Sequence, residues 1–214
     1  TVKNDRLSID GREQCCLCYD NDTTERMMVH HALNPLDKNQ KIMCLNIGLG
    51  CGLTLEECLE YDTFVDVVEI NPKVVEANQI LSDVLENSNI NLILNDGLSY
   101  LRNNNKKYDS ILIDIENPSV AHSSNLYTVD AFNIVNNSLK ENGTFALWSY
   151  DGNKRYHDIL FYSLREAFLH VYYYDTVFLA TNMKLHKVEY KPETNYEINT
   201  IDKNTLTDAY IGMI

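Results

Sequence analysis

The sequence lacks a long hydrophobic run, and cations are few. No apolar stretch approaches the roughly eighteen residues that span a bilayer, and the opening stretch from Thr1 to Arg6 is too polar for a signal peptide. We therefore expect no membrane partner and a cytoplasmic location. Lysine and arginine number 18 against 31 acidic residues, a net charge of −13. Such a field repels phosphate backbones, so we expect no nucleic-acid partner, and it mildly favours a cationic substrate.

Several motifs of enzymes and metal sites are also missing. The chain has no Gly-x-Ser-x-Gly elbow and no Gly-x-x-x-x-Gly-Lys-Ser/Thr phosphate loop. The six cysteines have no matched pair of Cys-x-x-Cys motifs, and the adjacent His30 and His31 point about 100° apart on a helix, so we expect no metal. A chain of this size does not need disulfides for stability, which favours reduced thiols.

Strand and helix patterns alternate through the middle of the chain. Apolar runs predict strands at about 42–47, 64–70, 90–95, 109–115 and 143–149, and helices at about 53–61, 72–86, 97–103, 127–140 and 153–169. Strict alternation indicates an α/β fold with a mostly parallel, doubly wound sheet that is covered on both faces. The runs 171–174 and 176–180 predict either one bent strand or a closing antiparallel pair.

The pattern divides the chain into three parts. Residues 1–40 predict a β-hairpin that turns at Asp10-Gly11, followed by a connecting helix that Thr23 or Thr24 caps. We expect residues 41–190 to form the Rossmann-like catalytic domain. Residues 191–214 are polar, and we expect them to be partly disordered.

A glycine-rich loop, Gly48-Leu49-Gly50-Cys51-Gly52, follows the first strand of the α/β pattern. Glycine has no Cβ, so the backbone can approach a ligand closely. Leu53 stands where a dinucleotide-binding loop has its final Gly or Ala, which disfavours a pyrophosphate site. The loop suits a nucleoside with a sulfonium tail, such as S-adenosylmethionine or a relative. A purely structural strand-to-helix turn is the alternative.

Acidic residues end the next three predicted strands. Glu69 can accept both hydrogen bonds of a ribose diol, and Asp96 with the following amide can bind adenine. Asp114 should lie beside the glycine loop at the topological switch point, where a carboxylate could accept a proton from an attacking amine. The structural alternatives are a solvated strand end for Glu69, a helix cap for Asp96 and a loop cap for Asp114.

These motifs occur in an order that resembles the spermidine synthase family of polyamine aminopropyltransferases. The resemblance runs from about Leu7 to Ala180 and rests on the glycine loop, Glu69-Ile70-Asn71-Pro72, Asp96-Gly97, Asp114-x-x-Asn117-Pro118 and Leu126-Tyr127. It implies a methyltransferase-like Rossmann fold with a small N-terminal β element, and a homodimer. It also implies decarboxylated S-adenosylmethionine as co-substrate and a small cationic polyamine precursor, a diamine such as putrescine, as acceptor.

The resemblance also implies roles for individual residues. Asp114 corresponds to the aspartate that deprotonates the attacking amine, and Asn117 and Tyr127 lie at substrate-binding positions. The donor-binding positions are Gly48, Gly50, Cys51, Gly52, Glu69, Ile70, Asp96 and Gly97. Three positions depart from the family pattern, since Cys51 and Asn117 each replace an aspartate and Thr24 replaces a tyrosine.

Each departure removes a contact to a cationic amine, which leaves two alternative functions open. The first is a methyltransferase that uses S-adenosylmethionine itself, because Cys51 does not repel a donor carboxylate as an aspartate would. The second is a catalytically silent nucleoside-binding protein, because the nucleoside residues remain while amine contacts are lost.

Overall fold

The structure is a computed structural model that describes residues 2–3, 6–9, 12–16, 23–115, 123–149, 154–174, 176–193, 198–203 and 205–206. A small antiparallel sheet at the N-terminus contains β1 (Val2–Lys3), β2 (Arg6–Ile9) and β3 (Arg12–Cys16) in that order. The predicted hairpin is thus present as β2 and β3 with one more short strand, while its turn, Asp10-Gly11, lies outside the described residues.

In the described part of the chain, the main sheet has seven strands in the order β6-β5-β4-β7-β8-β10-β9. Its strands are β4 (Ile42–Ile47), β5 (Thr63–Glu69), β6 (Ile90–Leu94), β7 (Tyr108–Ile113), β8 (Leu139–Trp148), β9 (His170–Tyr174) and β10 (Val177–Thr181). The first five are parallel, and β10 pairs antiparallel with both β8 and β9. The doubly wound fold is confirmed, and the last two strands form the antiparallel pair rather than one bent strand.

Among the described residues, six helices connect or precede these strands: α1 (Thr24–Leu33), α2 (Leu53–Leu59), α3 (Pro72–Leu81), α4 (Gly97–Asn103), α5 (Val129–Ser138) and α6 (Lys154–Ala167). Short polar side chains begin several of them by accepting a backbone N–H, as Thr23 does for α1, Asn71 for α3 and Thr128 for α5. The helix predicted at 72–86 ends earlier, and a separate 3-10 turn, Val84–Glu86, follows it.

Apolar side chains cover both faces of the main sheet. Leu45 and Ile47 pack with residues of α4, α5 and α6, whereas the alternating Cys44 packs with residues of α1, α2 and α3. Successive residues of a strand point to opposite faces, so β4 supplies both cores. No helix in the described ranges is long and apolar enough to cross a membrane.

One buried acid, Asp66 in the middle of β5, is held by hydrogen bonds. It accepts from Asn91 at 2.6 Å, Tyr108 at 2.7 Å and Lys106 at 2.8 Å. Burial raises the pKa of this carboxyl, but the hydrogen bonds from Asn91, Lys106 and Tyr108 outweigh burial and bring the pKa below its ordinary value. These donors therefore stabilise the negative charge of Asp66 inside the sheet.

Part of the C-terminal segment, which we expected to be partly disordered, packs against the rest of the chain. Asn199 and Leu206 are buried, and all four polar groups of Asn199 are hydrogen-bonded. Its backbone N–H donates to Ser163 Oγ, its C=O accepts from Val129, its Nδ2 donates to the Tyr127 carbonyl and its Oδ1 accepts from Leu206. This polar segment is therefore docked against α5 and α6 at residue 199.

Candidate active site

The glycine loop connects β4 to α2, and all three of its glycines have positive φ angles: 99° for Gly48, 51° for Gly50 and 90° for Gly52. A Cβ on Gly48 would lie 2.7 Å from the backbone oxygen of Asp114, and one on Gly52 would lie 2.9 Å from Asn78 Nδ2. A Cβ on Gly50 would meet no atom of the described residues within 4 Å. Packing against backbone thus requires glycine at position 48, Gly52 lies close to the side chains of α3 and the 3-10 turn, and Gly50 borders open space among the described residues.

Side chains from three elements hold the loop backbone. Asn46 donates to the Gly48 carbonyl at 2.5 Å, and Asn78 of α3 donates to the Gly50 carbonyl at 3.3 Å. Leu49 N–H donates to Glu69 Oε2 at 3.0 Å. The loop conformation is therefore held by the chain's own hydrogen bonds. Sequence reasoning missed Asn46 and Asn78, although a polar residue on the buried face of α3 was a detectable signal.

Glu69 ends β5 with a buried side chain whose two oxygens are oriented by backbone amides. Oε2 accepts from Leu49, and Oε1 accepts from Asn71 at 2.8 Å. Each carboxylate oxygen can accept more than one hydrogen bond, so this orientation leaves acceptor capacity for a diol. The neighbouring Ile70 is 54% exposed, which leaves an apolar side chain at the same edge of the sheet.

Asp96 and Gly97 begin α4 at the end of β6. Asp96 Oδ1 accepts from Ser99 N at 2.8 Å, so the helix-cap alternative considered for Asp96 is observed. The cap engages one oxygen of the carboxylate and does not exclude a ligand role. A Cβ on Gly97 would lie 2.5 Å from Ile47 Cγ2, so glycine permits α4 to lie close to β4.

Asp114 follows β7, and β7 is the neighbour of β4 on the opposite side from β5. Its N–H donates to Ile47 O at 3.2 Å, and its backbone oxygen faces Gly48. The half-buried side chain accepts a hydrogen bond from Thr54 Oγ1 to Oδ2 at 2.8 Å. The predicted position of Asp114 beside the glycine loop, at the switch point of the sheet, is confirmed. The Thr54 contact was not predicted.

Of the remaining predicted site residues, the structure describes Cys51 and Tyr127 but not Asn117. Cys51 is 2% exposed and disulfide-bonded, so the expectation of reduced thiols is wrong for this residue, whereas Cys44 and Cys58 are free and buried. Tyr127 is fully buried, and its hydroxyl donates to Ile115 O at 2.7 Å and to Trp148 O at 3.3 Å. Its predicted contact with substrate stays a prediction. Asn117 lies outside the described residues.

The site thus combines a glycine loop with carboxylates that end neighbouring strands. In open α/β sheets, ligands bind outside the carboxyl ends of the strands at the switch point, which is where Gly48 and Asp114 meet. Within the described part of the chain, no group of three or more His, Cys, Asp or Glu side chains is placed to hold a metal ion.

Comparison with known proteins gives the family. Residues 21–185 match the spermine/spermidine synthase domain, so the chain belongs to the spermine/spermidine synthase family. A polyamine aminopropyltransferase from Saccharolobus solfataricus is 33% identical over 145 residues, which cover 64% of this chain and 48% of that protein. The chain spans about half the length of the curated relatives it matches.

Solved structures confirm the methyltransferase-like Rossmann fold. A spermidine synthase in complex with the transition-state analogue AdoDATO has a TM-score of 0.66 at 18% identity, covering 88% of this chain and 70% of that chain. Human methyltransferase-like protein 13 in complex with SAH has a TM-score of 0.60 at 17% identity, covering 77% and 82%. At these identities the likeness concerns the fold alone.

Proposed function

We propose that the protein transfers an aminopropyl group from decarboxylated S-adenosylmethionine to a diamine such as putrescine. The observation that carries this proposal is the juxtaposition of the glycine loop with Asp114 and Glu69 at one sheet edge, together with membership of the family. The solved spermidine synthase with AdoDATO and the polyamine aminopropyltransferases at about one-third identity support the same reaction class.

In the proposed binding mode, the adenosyl part of the donor lies along the edge formed by the glycine loop, Glu69 and Asp96. Glu69 accepts hydrogen bonds from the ribose hydroxyls, since two backbone amides already orient its carboxylate. Asp96 and the Gly97 amide bind adenine, and Ile70 contacts its face. The open space beside Gly50 admits the ligand to the loop backbone.

The reaction needs alignment and one proton acceptor. The acceptor amine attacks the methylene carbon next to the sulfonium, a C–N bond forms, the C–S bond breaks, and its electron pair leaves on sulfur as methylthioadenosine. The amine must lose a proton, and Asp114 beside the loop is the group that accepts it and passes it to solvent. A net charge of −13 supports a cationic acceptor.

A second candidate function is methyl transfer from S-adenosylmethionine. Cys51 favours it, because this buried, disulfide-bonded residue puts no negative charge in the loop to repel a donor carboxylate. The same substitution weakens the case for decarboxylated donor, which the family holds there through an aspartate. The homodimer and the cytoplasmic location stay part of the first proposal and are supported by the family resemblance.

The test is to incubate the protein with putrescine and either donor and to measure methylthioadenosine and S-adenosylhomocysteine by mass spectrometry. Methylthioadenosine and spermidine from the decarboxylated donor support aminopropyl transfer. S-adenosylhomocysteine from the carboxylated donor favours the methyltransferase. Neither product at high protein concentration, with methylthioadenosine still bound in calorimetry, identifies a silent nucleoside-binding protein.

Asp114→Asn tests the base within this scheme. The amide keeps an acceptor oxygen for Thr54 but cannot take a proton at neutral pH, so we expect kcat to fall by about 10²- to 10⁴-fold with methylthioadenosine affinity retained. Asp83→Asn, at an exposed acid before the 3-10 turn, is the control and should leave kcat unchanged. An Asp114→Asn variant with wild-type kcat would remove the base from the mechanism.

A further inference from the structure

Thr54 lies in the first turn of α2 and reaches across to the loop after β7. It is 3% exposed, and its hydroxyl donates to Asp114 Oδ2 at 2.8 Å, across 60 residues of sequence. A buried hydroxyl that donates to a carboxylate forms one of the stronger classes of protein hydrogen bond. The contact joins the helix that follows the glycine loop to the carboxylate assigned as the base.

We propose that Thr54 is a positioning residue for aminopropyl transfer, whose hydroxyl holds the Asp114 carboxylate in the orientation that receives the proton of the attacking amine. This inference rests on the proposed function. Thr54 acts through Asp114 and touches neither donor nor acceptor in this scheme.

The backbone of Asp114 is fixed by contacts that do not involve Thr54. Its N–H donates to Ile47 O, and its carbonyl oxygen packs against Gly48, where a Cβ would lie 2.7 Å away. These contacts set the position of the Cα atom but not the rotation of the carboxylate about the side-chain bonds. The Thr54 hydroxyl anchors one carboxylate oxygen, Oδ2, and so restricts this rotation.

A proton acceptor must meet the amine within hydrogen-bond distance in the correct orientation, and a displacement of about 1 Å can cost roughly 100-fold in rate. Because the donor contacts come from Glu69, Asp96 and the glycine loop, loss of the Thr54 hydroxyl should affect the chemical step more than donor binding. Replacing a residue that has a packing role alone would not lower kcat while leaving donor affinity unchanged.

Three variants test the inference. Thr54→Val keeps the side-chain shape and removes the hydroxyl, whereas Thr54→Ser keeps the hydroxyl. Thr54→Ala also removes the hydroxyl and is used if the Thr54→Val variant does not fold. Thr63→Val is the matched control, since Thr63 is also fully buried but its hydroxyl bonds the Cys58 carbonyl at the opposite end of the sheet. Each folded variant is assayed for kcat, for the KM of the diamine and, by calorimetry, for methylthioadenosine affinity.

We expect Thr54→Val to lower kcat by about 10- to 100-fold with methylthioadenosine affinity within about twofold of wild type. Thr54→Ser should recover most of the rate, and Thr63→Val should keep it even if its melting temperature falls. In an Asp114→Asn background, Thr54→Val should cause no further loss, because both changes act on the same group.

The inference is overturned by a Thr54→Val enzyme with wild-type kcat, by a serine variant as slow as valine, or by a full further loss in the Asp114→Asn background. A parallel loss of methylthioadenosine affinity also contradicts it, since it would assign Thr54 to donor binding. Wild-type protein that makes no methylthioadenosine from the decarboxylated donor overturns the proposed function and this inference with it. An active wild type with an unaffected Thr54→Val overturns the inference alone.

Discussion

Replacing Gly50 with alanine should weaken ligand binding at the glycine loop without unfolding the protein. Gly50 has φ of 51°, and in the described part of the chain no atom lies within 4 Å of the position that a Cβ would take. An L-residue in this left-handed region costs about 1–2 kcal/mol, partly offset by the smaller entropy that alanine loses on folding. We therefore expect a net destabilisation of about 1 kcal/mol, which lowers Tm by about 2–4 °C in a chain of this size.

The effect on binding should be larger. If the donor occupies the space beside the loop, the new methyl group overlaps it, and methylthioadenosine affinity should fall at least tenfold, or about 1.4 kcal/mol. Gly48→Ala is the contrasting variant, since its Cβ would lie 2.7 Å from the Asp114 carbonyl oxygen at φ of 99°. Strain and overpacking together should cost about 2–5 kcal/mol, so this variant should lose stability first.

The assay is calorimetric titration with methylthioadenosine beside thermal unfolding of the same samples. Gly50→Ala that binds methylthioadenosine with wild-type affinity would refute the proposal that the open space beside Gly50 receives the donor. Equal losses of stability in the two variants would refute the distinction drawn from the Cβ positions.

Other predictions concern the ribose contact, the buried acid in β5 and the C-terminal segment. Glu69→Gln should weaken methylthioadenosine binding by about 10- to 100-fold in calorimetry, because a charge-assisted contact is lost and a new N–H faces a backbone amide; unchanged affinity would exclude Glu69 from the pocket. Asp66 has a lowered pKa when folded, so its contribution to stability is present above its unfolded pKa of about 3.9 and is lost as pH falls through the folded value. In urea unfolding between pH 7 and 3, the free energy of unfolding should therefore fall less steeply with decreasing pH for Asp66→Asn than for wild type. Equal slopes would contradict this prediction. Asn199→Ala removes the hydrogen bonds that Asn199 makes with the Tyr127 carbonyl and the Leu206 N–H inside the protein and should cost about 2–4 kcal/mol in urea unfolding. The exposed control Asn103→Ala should change stability by less than about 0.5 kcal/mol, and equal effects would show that the segment does not stabilise the domain.

The regular part of the fold was predictable because its signals are local. The strand at 42–47 has the predicted bounds, since a continuous apolar run leads directly into glycine. The helix predicted at 72–86 was too long because its apolar pattern continues through the 3-10 turn after Ser82, where the regular helix ends. The strand predicted at 143–149 begins four residues earlier, since Asn142 with φ of 63° is accommodated inside β8 instead of preceding it.

The contacts that assemble the site were not predictable, because they join residues far apart in the chain. Thr54 and Asp114 are 60 residues apart, and Asn199 and Tyr127 are 72 apart. Asn199 is polar in a polar segment, so composition gave no sign that it is buried, and complete hydrogen bonding makes its burial possible. The disulfide at Cys51 was missed for a related reason, since size and composition say nothing about which thiols meet in space.

The most direct test of the account is a crystal structure with methylthioadenosine bound. We predict that the ribose hydroxyls contact the Glu69 carboxylate, that adenine lies at Asp96 and Gly97, and that the sulfur lies at the glycine loop on the side of Asp114. Methylthioadenosine bound elsewhere, or with its ribose away from Glu69, would contradict the proposed site.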